Sequence, residues 1–267
     1  MNPRVNRILA QWRRAPELLT GIRETSDVAT LALGYLGLCS PSYPFVVRFR
    51  SGEELRVETQ SDLITLWIIF FRNEYRVPKT CRTIVDAGAN IGAFSVYSAR
   101  RAPDATIHAL EPFPSTRARL TETVARNHLT SRVKVYELAL GDVSLGGARH
   151  MTVEEGPSQG RGTAAEPFAA GSVAVQATTL EQFLDDANIN EADFLKMDIE
   201  GGEHEVLHAA SPMVIRRFRQ IALEYHPNGS AEALFQKLVS CGFVCQDDAR
   251  VAPNSGVAHF ARTSSSR

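Results

Sequence analysis

Length, composition and charge limit the kind of protein that this chain forms. It has 267 residues, of which 44% are hydrophobic, and a formal net charge of −1 from 29 Lys and Arg against 30 Asp and Glu. This length fits one large globular domain with elaborations, because single cores grow to about 250–300 residues. A protein that binds duplex nucleic acid needs a strongly basic surface to displace phosphate counterions, so we expect no nucleic-acid partner.

The apolar segments are too short to cross a bilayer. The longest apolar run covers residues 63–71, whereas a transmembrane helix needs about 20 apolar residues. Residues 1–10 lack the apolar core of a secretory signal. We therefore expect a cytoplasmic protein without a membrane span.

The cysteines do not form a disulfide framework or a recognisable metal site. Cys241 and Cys245 are close in sequence, but they have no second pair and no His at zinc spacing. We expect reduced thiols here and no metal ligands.

The first 60 residues are predicted to be a helical and hairpin extension. Up to about residue 40, Leu, Ile and Val are mixed with Arg in the amphipathic pattern of helices. Residues 45–50 and 53–58 then alternate between apolar and polar around Ser51 and Gly52, which predicts a β-hairpin.

A further helix is predicted over residues 63–72, with Ser61 and Asp62 as its caps. Its apolar face has to be buried. Two alternatives stay open, namely burial against the core of the same chain or against a second subunit in a homodimer.

From residue 83, short apolar runs alternate with helical segments, which is the pattern of βαβ units in a parallel sheet. The predicted strands are 83–87, 105–111, 133–138, 194–198 and 220–225. The predicted helices are 91–101, 116–128 behind a Ser115 cap, 180–186 behind Thr179 with Gln182 completing a capping box, and 203–210. Two last strands, 241–246 and 256–262, are joined by a short polar loop and should be antiparallel neighbours.

Residues 144–174 interrupt this pattern and are rich in Gly, Ala, Ser and Pro. We predict a mobile insertion there, which is either a lid or a plain disordered loop. Residues 263–267 are predicted to be a disordered tail. The main α/β domain is accordingly placed at residues 61–262.

The glycine turn after strand 83–87 is the most informative segment. The strand ends in Asp86, the chain turns at Gly88, and a helix begins near Ile91 with Gly92 in its first turn. Glycines at such a turn let the backbone approach a ligand and direct N–H groups toward it. In an open parallel sheet, this carboxyl edge is the place for a nucleotide-like ligand.

The spacing of the glycines argues against a dinucleotide cofactor. The fingerprint G-x-G-x-x-G needs glycine at 88, 90 and 93, whereas the chain has Gly88, Asn90 and Ala93. Asp86 would also repel a pyrophosphate. Its charge suits a cationic ligand, such as the ammonium or sulfonium group of S-adenosylmethionine.

Two further strand ends fit such a cofactor. Glu111 ends the second strand, about where a ribose-binding carboxylate is expected. Pro112 and Phe113 follow it and could flank the adenine ring. After the third strand, Ala139 allows a close approach to adenine and Asp142 offers an acceptor for its exocyclic amine.

A second charged cluster follows the fourth and fifth core strands. Carboxylates gathered at one sheet edge, here Asp198, Glu200 and Glu203, repel one another unless a cation, a donor or a shared proton compensates, so such a cluster is expected at an active site. The candidate catalytic residues are Lys196, Asp198, Glu200, Glu224 and His226.

Several roles are open for this cluster. His226 is a candidate general base, because imidazole titrates near neutral pH and a nearby Glu could orient it. Glu200 or Glu224 could act as the base instead. A divalent cation such as magnesium, held by Asp198, Glu200 and Glu224, is a further alternative.

Four segments together resemble a known family. They are Ile84–Ser95, Ala109–Pro112, Leu195–Glu203 and Leu223–His226, and Phe70–Tyr75 adds to them. In this combination they resemble the FkbM family of S-adenosylmethionine-dependent methyltransferases, over roughly residues 60–247.

This resemblance implies a Rossmann-like, seven-stranded α/β methyltransferase sheet that is mostly parallel, with the last strand antiparallel. It implies methyl transfer to a hydroxyl of a sugar, glycan or secondary metabolite. Matching positions place the methionine part of the cofactor at the glycine turn, the ribose at Glu111, and the reaction centre at Asp198 and Glu200. The candidate cofactor-binding residues are Asp86, Gly88, Ala89, Asn90, Gly92, Glu111, Pro112, Phe113, Ala139, Asp142 and Asp198.

Other functions remain as alternatives. One is N-methylation of a small molecule, and another is a non-catalytic module that binds a cofactor or a partner with the same fold. The intact acidic cluster argues against the non-catalytic module. A nicotinamide-dependent oxidoreductase is disfavoured by the mismatch to G-x-G-x-x-G.

Overall fold

The computed structural model describes residues 15–141, 148–152, 163–164 and 172–263. The chain divides into two units, Met1–Arg76 and Val77–Arg267. The division lies after Arg76, whereas the sequence pattern places the end of the extension at residue 60. Among the described residues, no helix has both the length and the apolar composition needed to cross a membrane.

The first unit contains helices and the predicted hairpin. Helices α1 and α2 cover Ala15–Glu24 and Val28–Tyr35, strands β1 and β2 cover Phe45–Arg48 and Glu54–Val57, and α3 covers Gln60–Leu66. Helix α3 continues as a π-helix over Trp67–Phe71. The two strands are antiparallel, with Phe45 opposite Val57.

Helix α3 is capped by a residue that the sequence reasoning did not select. Thr59 has an extended backbone, and its hydroxyl accepts a hydrogen bond from Asp62 N at 3.1 Å. The Asp62 carboxylate in turn accepts a bond from Thr59 N at 3.0 Å, which completes a capping box. The prediction of Ser61 as a cap is wrong, because Ser61 already lies in the first helical turn.

The apolar face of residues 63–71 is buried within the first unit. The side chains of Leu63, Trp67 and Phe70 are all buried. Trp67 stacks on Tyr35 with 4.8 Å between ring centroids, and Phe70 stacks on Phe49 at 4.2 Å. Residues of the same chain therefore cover this face, which explains why the helix belongs to the first unit.

The second unit contains eleven strands and six helices among its described residues. The strands are β3 (Thr83–Ala87), β4 (Thr106–Leu110), β5 (Val133–Tyr136), β6 (Ala139–Leu140), β7 (Ala148–Thr152), β8 (Thr163–Ala164), β9 (Ser172–Thr178), β10 (Ala192–Met197), β11 (Phe218–Tyr225), β12 (Phe243–Ala252) and β13 (Ser255–Arg262). The helices are α4 (Ala93–Arg101), α5 (Pro114–Arg126), α6 (Leu180–Asp186), α7 (Glu203–Ala209), α8 (Pro212–Ile215) and α9 (Ala231–Ser240).

Seven of these strands form one sheet in the order β12-β13-β11-β10-β3-β4-β5. Strand β13 is antiparallel to both of its neighbours, and the strands from β11 to β5 pair in parallel. The predicted α/β sheet, mostly parallel with its last strand antiparallel, is therefore confirmed. Its interior is apolar, since Val85, Leu195 and Ile221 on three adjacent strands are all buried.

Strands β6 to β9 form a second, four-stranded sheet in the order β6-β9-β7-β8. Much of it falls within the predicted insertion 144–174, whose described residues are thus paired strands. The rest of that prediction lies outside the described residues, and so do Asp142 and residues 264–267 of the predicted tail.

Two predicted helix caps need correction, and one helix was not predicted. Thr179 caps α6 as expected, but the side chain of Gln182 bonds to Asp186, so the capping box is only half formed. Ser115 is not a cap, because Pro114 takes the first helical position, where its fixed φ is favourable. Helix α9, which begins after Ser230, was missed.

The sheet brings the candidate segments to one edge. Met197 of β10 pairs with Ala87 of β3 on one side and with Leu223 of β11 on the other. Since parallel strands end at the same edge, the glycine turn after β3 lies beside the charged segments that follow β10 and β11.

Candidate active site

The turn after β3 is shaped by close backbone contacts. Gly88 N and Ala89 N both donate to Leu110 O, at 3.1 and 2.9 Å. Gly88 has φ +78°, and a Cβ atom there would lie 1.7 Å from the carbonyl oxygen of Asp198. Only glycine fits this position, because two strand ends touch through their backbones.

The next residues of the turn include a polar side chain with a buried oxygen, that of Asn90. Asn90 has φ +49°, and its buried Oδ1 has no hydrogen-bond partner among the described residues. Gly92 has φ +87° and begins α4, packed so closely that a Cβ would lie 2.8 Å from Leu120. An unpaired buried carbonyl beside a glycine turn fits a bound ligand that carries a donor.

Glu111 connects this turn to the end of β4. Its carboxylate accepts hydrogen bonds from Asn90 N at 2.9 Å and from Phe113 N at 3.0 Å. Burial raises the pKa of Glu111 to about 7, although these two bonds and the charge of Lys196 act in the opposite direction. A carboxylate has about four lone-pair sites, so Glu111 can still accept two ligand hydroxyls.

The predicted adenine-side residues are partly brought together. Phe113 and Ala139 belong to one small buried apolar cluster, which also contains Val175 and Ala177 of β9. Pro112 is half-buried beside them in sequence. The two β9 residues were missed because no strand was predicted between the insertion, which ends at residue 174, and the helix that begins at residue 180.

Asp86 is the last residue but one of β3 and has 0% exposure. Ser95 donates to one carboxylate oxygen at 2.7 Å, and the ammonium of Lys196 lies 3.6 Å from the other. Burial raises the pKa of Asp86, while Lys196 and Ser95 lower it in part. The geometry favours an indirect role of Asp86 over the predicted direct contact with a cofactor ammonium, because Ser95 and Lys196 face the carboxylate.

Lys196 is a buried cation at the centre of the edge. Its ammonium donates to Gly88 O at 2.7 Å and lies 3.4 Å from Asp198 Oδ2. Burial lowers the pKa of Lys196, but the carboxylates of Asp198, Asp86 and Glu224 raise it above its ordinary value. The residue predicted as catalytic thus compensates charge and holds the glycine turn.

Asp198 and Glu224 are the accessible carboxylates nearest this cation. Asp198 N donates to Ala87 O at 3.2 Å, and its side chain is 24% exposed. Burial and the charge of Glu200 raise the pKa of Asp198, whereas Lys196 lowers it. Glu224 is half-buried at the end of β11.

The segment after Asp198 is held by Glu203, whose side chain has 0% exposure. The Glu203 carboxylate accepts hydrogen bonds from Ile199 N at 2.8 Å and from Gly201 N at 3.0 Å. Glu200, between them, has φ +54°. Positive φ is uncommon for a residue with a side chain, so the segment is held in a strained turn.

His226 lies between two carboxylates. Its Nδ1 is 3.2 Å from Glu203 Oε1 and its Nε2 is 3.3 Å from Glu200 Oε2. Burial alone lowers the pKa of His226, but its bonds to Glu200 and Glu203 raise it to about 11. The contacts with two carboxylates favour a protonated ring, which cannot accept a proton, so this geometry favours another residue as the general base.

A divalent cation does not fit this set well. Donor atoms of Asp198, Glu224 and His226 lie within 4.8 Å of one another. However, both ring nitrogens of His226 already face glutamate carboxylates, and the Lys196 ammonium already lies beside Asp198. We assign the charge compensation to His226 and Lys196 and no step to a metal.

Two functional side chains were missed or underweighted from the sequence. Ser95 is the hydroxyl donor to Asp86, and the signal for it is a polar residue one turn into a helix whose neighbours are buried. Glu203 was placed in the acidic cluster without a role, since only the fold shows its bonds to the strained turn.

The family model described as the methyltransferase FkbM domain matches residues 86–245 of this chain. The chain belongs to the FkbM methyltransferase family. The match covers the glycine turn, Glu111 and the whole charged cluster, so the resemblance inferred from the motifs is confirmed.

Individual relatives agree with this family. The chain is 32% identical over 200 residues to methyltransferase sdnD of Sordaria araneosa, which covers 64% of this chain and 77% of that protein. It is 34% identical over 144 residues to methyltransferase 1 of Beauveria bassiana (strain ARSEF 2860), covering 46% of this chain and 56% of that protein. It is 25% identical over 161 residues to the 2-O-methyltransferase NoeI of Sinorhizobium fredii (strain NBRC 101917 / NGR234), covering 53% of this chain and 62% of that protein.

We expect Gly88→Ala to disrupt the contact between the ends of β3 and β10. The added Cβ would overlap the backbone of Asp198, so amide hydrogen exchange in β3 and β10 should accelerate by about 100-fold, or about 3 kcal/mol. The matched control is Gly52→Ala, which also has positive φ but no atom within 4 Å of its Cβ position. Equal exchange rates of these amides in both variants would contradict the close approach.

Proposed function

We propose that this FkbM-family chain uses S-adenosylmethionine to methylate a hydroxyl of a small-molecule or glycan acceptor. One observation supports it most. The glycine turn, the unpaired Asn90 carbonyl and the buried Glu111 lie at the same sheet edge as the carboxylates of Asp198 and Glu200. Groups suited to bind the cofactor thus lie next to groups suited to accept a proton.

The cofactor would be held by groups from three strand ends. Glu111 would accept hydrogen bonds from the ribose hydroxyls, and the Asn90 Oδ1 would accept one from the amino-acid part. Phe113 and Ala139 would pack against the adenine ring. When bound, the cofactor supplies a methyl group activated by its sulfonium charge. Asp86 would act indirectly, through Lys196 and the Gly88 carbonyl.

The accessible carboxylates would receive the proton of the acceptor. An alcohol is too weak an acid to attack without a proton acceptor, and His226 is protonated, with a pKa raised to about 11 by Glu200 and Glu203 against the effect of burial. Asp198, Glu200 and Glu224 are therefore the candidate bases. Their alignment of the acceptor oxygen with the methyl group would account for much of the rate.

The charge of this edge also restricts the acceptor class. Asp198, Glu200 and Glu224 are partly exposed, while the compensating cation of Lys196 is buried. Neutral polyols should bind better than phosphorylated or carboxylated molecules, which the carboxylates would repel. The similarity to NoeI, a 2-O-methyltransferase, supports oxygen as the first acceptor atom to test.

The direct test is transfer of labelled methyl groups. We expect the protein, incubated with methyl-labelled S-adenosylmethionine and panels of neutral glycans and metabolites, to label a hydroxyl oxygen. EDTA should leave the rate unchanged, because Lys196 and His226 supply the positive charge. Label on nitrogen would favour the N-methyltransferase alternative. Cofactor binding without transfer to any acceptor would favour the non-catalytic module.

Variants should separate cofactor binding from turnover. Glu111→Ala removes the acceptor of two ribose hydroxyls, so the Kd of S-adenosylhomocysteine should rise at least about 100-fold by calorimetry. Asp86→Ala should also abolish binding, because Lys196 loses its buried partner. Glu200→Ala should leave Kd within about threefold and lower turnover at least tenfold. Glu181→Ala, an exposed acid on α6, is the control. Tight binding by both the Glu111 and Asp86 variants would refute the cofactor assignment.

Cofactor affinity should depend on pH through Glu111. Burial raises the pKa of Glu111 to about 7, and the ionised form is the better acceptor for ribose hydroxyls. Below pH 7 binding must displace a proton, so the Kd of S-adenosylhomocysteine should rise as pH falls, approaching about tenfold per unit. Glu111→Gln should bind weakly with little pH dependence. Identical Kd values at pH 6 and pH 8 in the unmodified protein would exclude this role.

A further inference from the structure

The side chains of Glu203, His226 and Glu200 contact one another in this order. We call the carboxyl edge of the sheet where Asp198 and Glu200 lie the reaction edge. The buried carboxylate of Glu203 lies 3.2 Å from Nδ1, and the carboxylate of Glu200 lies 3.3 Å from Nε2. Since both nitrogens face carboxylate oxygens, the geometry favours a proton on each nitrogen, which makes the ring an imidazolium. A cation with a fixed ring orientation is therefore placed between one buried and one accessible carboxylate.

Glu203 is anchored independently of His226. Its two oxygens accept bonds from the backbone N–H groups of Ile199 and Gly201, and its side chain has 0% exposure. A fully buried carboxylate with these donors has no freedom to follow the ring. The ring must therefore adapt to Glu203, and its Nε2–H direction is determined by that contact.

Glu200 depends on the other end of this chain. Its backbone has φ +54° in a turn where Gly201 has φ +102°, and Asn228 donates to the Gly201 carbonyl. Strained conformations persist only where several contacts hold them. The His226 imidazolium provides the contact at the carboxylate of Glu200, and Glu203 provides the contacts at the backbone on either side.

We propose that Glu203 and His226 are positioning residues for the methyl transfer: Glu203 orients the His226 ring, and the ring holds the Glu200 carboxylate at the reaction edge. This inference rests on the proposed function, in which Glu200 contacts the acceptor. His226 then acts through Glu200 and not as a base.

The charged and titratable groups around the ring come from the segment after β10 and from α7. Glu200 and Glu203 face it from the segment after β10 and the start of α7, and Asp198 adds a further negative charge. His204 of α7 bonds to the backbone carbonyl of His226 at 3.3 Å. When one carboxylate is removed, the other carboxylates still face the ring. The effect of each carboxylate on the pKa of His226 can therefore be measured separately.

Nuclear magnetic resonance tests the geometry without any acceptor. In the full chain, titration of the His226 ring should show a pKa well above 7, and Glu203→Gln should lower it by at least one unit. His226→Gln should raise the titration midpoint of the Glu200 carboxyl, followed by its ¹³C shift, because the adjacent cation is lost. The control is Glu205→Gln, an exposed acid on the same helix. A His226 ring that titrates near 6.5 in the unmodified protein would overturn the proposal.

The rate of methyl transfer from labelled S-adenosylmethionine to the acceptor tests the positioning role by a double-mutant cycle. Glu203→Gln should lower kcat at least tenfold while the Kd of S-adenosylhomocysteine stays within threefold. In a Glu200→Gln background, the same substitution should change kcat by less than threefold, since its target is already absent. Effects that multiply in the double variant would show a separate structural role and overturn the proposal.

A second variant covers the case in which Glu203→Gln fails to fold. His226→Gln leaves the bonds of Glu203 to Ile199 and Gly201 in place, and the same cycle with Glu200→Gln should give the same loss and the same lack of additivity. Retention of full kcat by His226→Gln would contradict the inference. Absence of methyl transfer by the unmodified protein would refute the proposed function instead, while the titration would still decide the geometry.

Discussion

The buried ammonium of Lys196 is the interaction on which the rest of this edge depends. It touches the Gly88 carbonyl and lies within 3.6 Å of Asp86 and 3.4 Å of Asp198. A buried carboxylate such as Asp86, with the partly exposed Asp198 close by, is tolerated only with a fixed counter-charge, and removal of one partner of a buried pair costs about 3–5 kcal/mol. Lys196 therefore allows the glycine turn after β3 and the charged segment after β10 to lie at neighbouring strand ends.

A second cation extends the same principle outward. The His226 imidazolium pairs with Glu200 and with the buried Glu203, whereas the Lys196 ammonium contacts Gly88 and Asp198. The acidic edge thus contains alternating charges, and its two cations are held at different depths. This arrangement leaves Asp198 and Glu200 accessible while their repulsion is compensated, which is what a proton acceptor beside a cationic cofactor requires.

Much of the fold could be predicted from local pattern. Strand β3 was predicted at 83–87 and lies at Thr83–Ala87, and the antiparallel end of the sheet followed from a short link between the last strands. Errors arose where neighbours decide the outcome. Thr59 caps α3 because its backbone is extended there, and the segment containing Val175 and Ala177 was missed because strand pairing, and not its composition, orders it.

The sequence by itself determined the candidate site: the glycine turn, Glu111 and the charged pairs occur at strand ends, and strand ends of a parallel sheet meet at one edge. It also contained the family motifs, which residues 86–245 match. Only the tertiary structure decided the contacts of these side chains. Asp86 and Lys196 are buried and contact each other, and burial lowers the pKa of His226 while two carboxylates raise it, because protonation depends on which charges lie within a few ångströms in space.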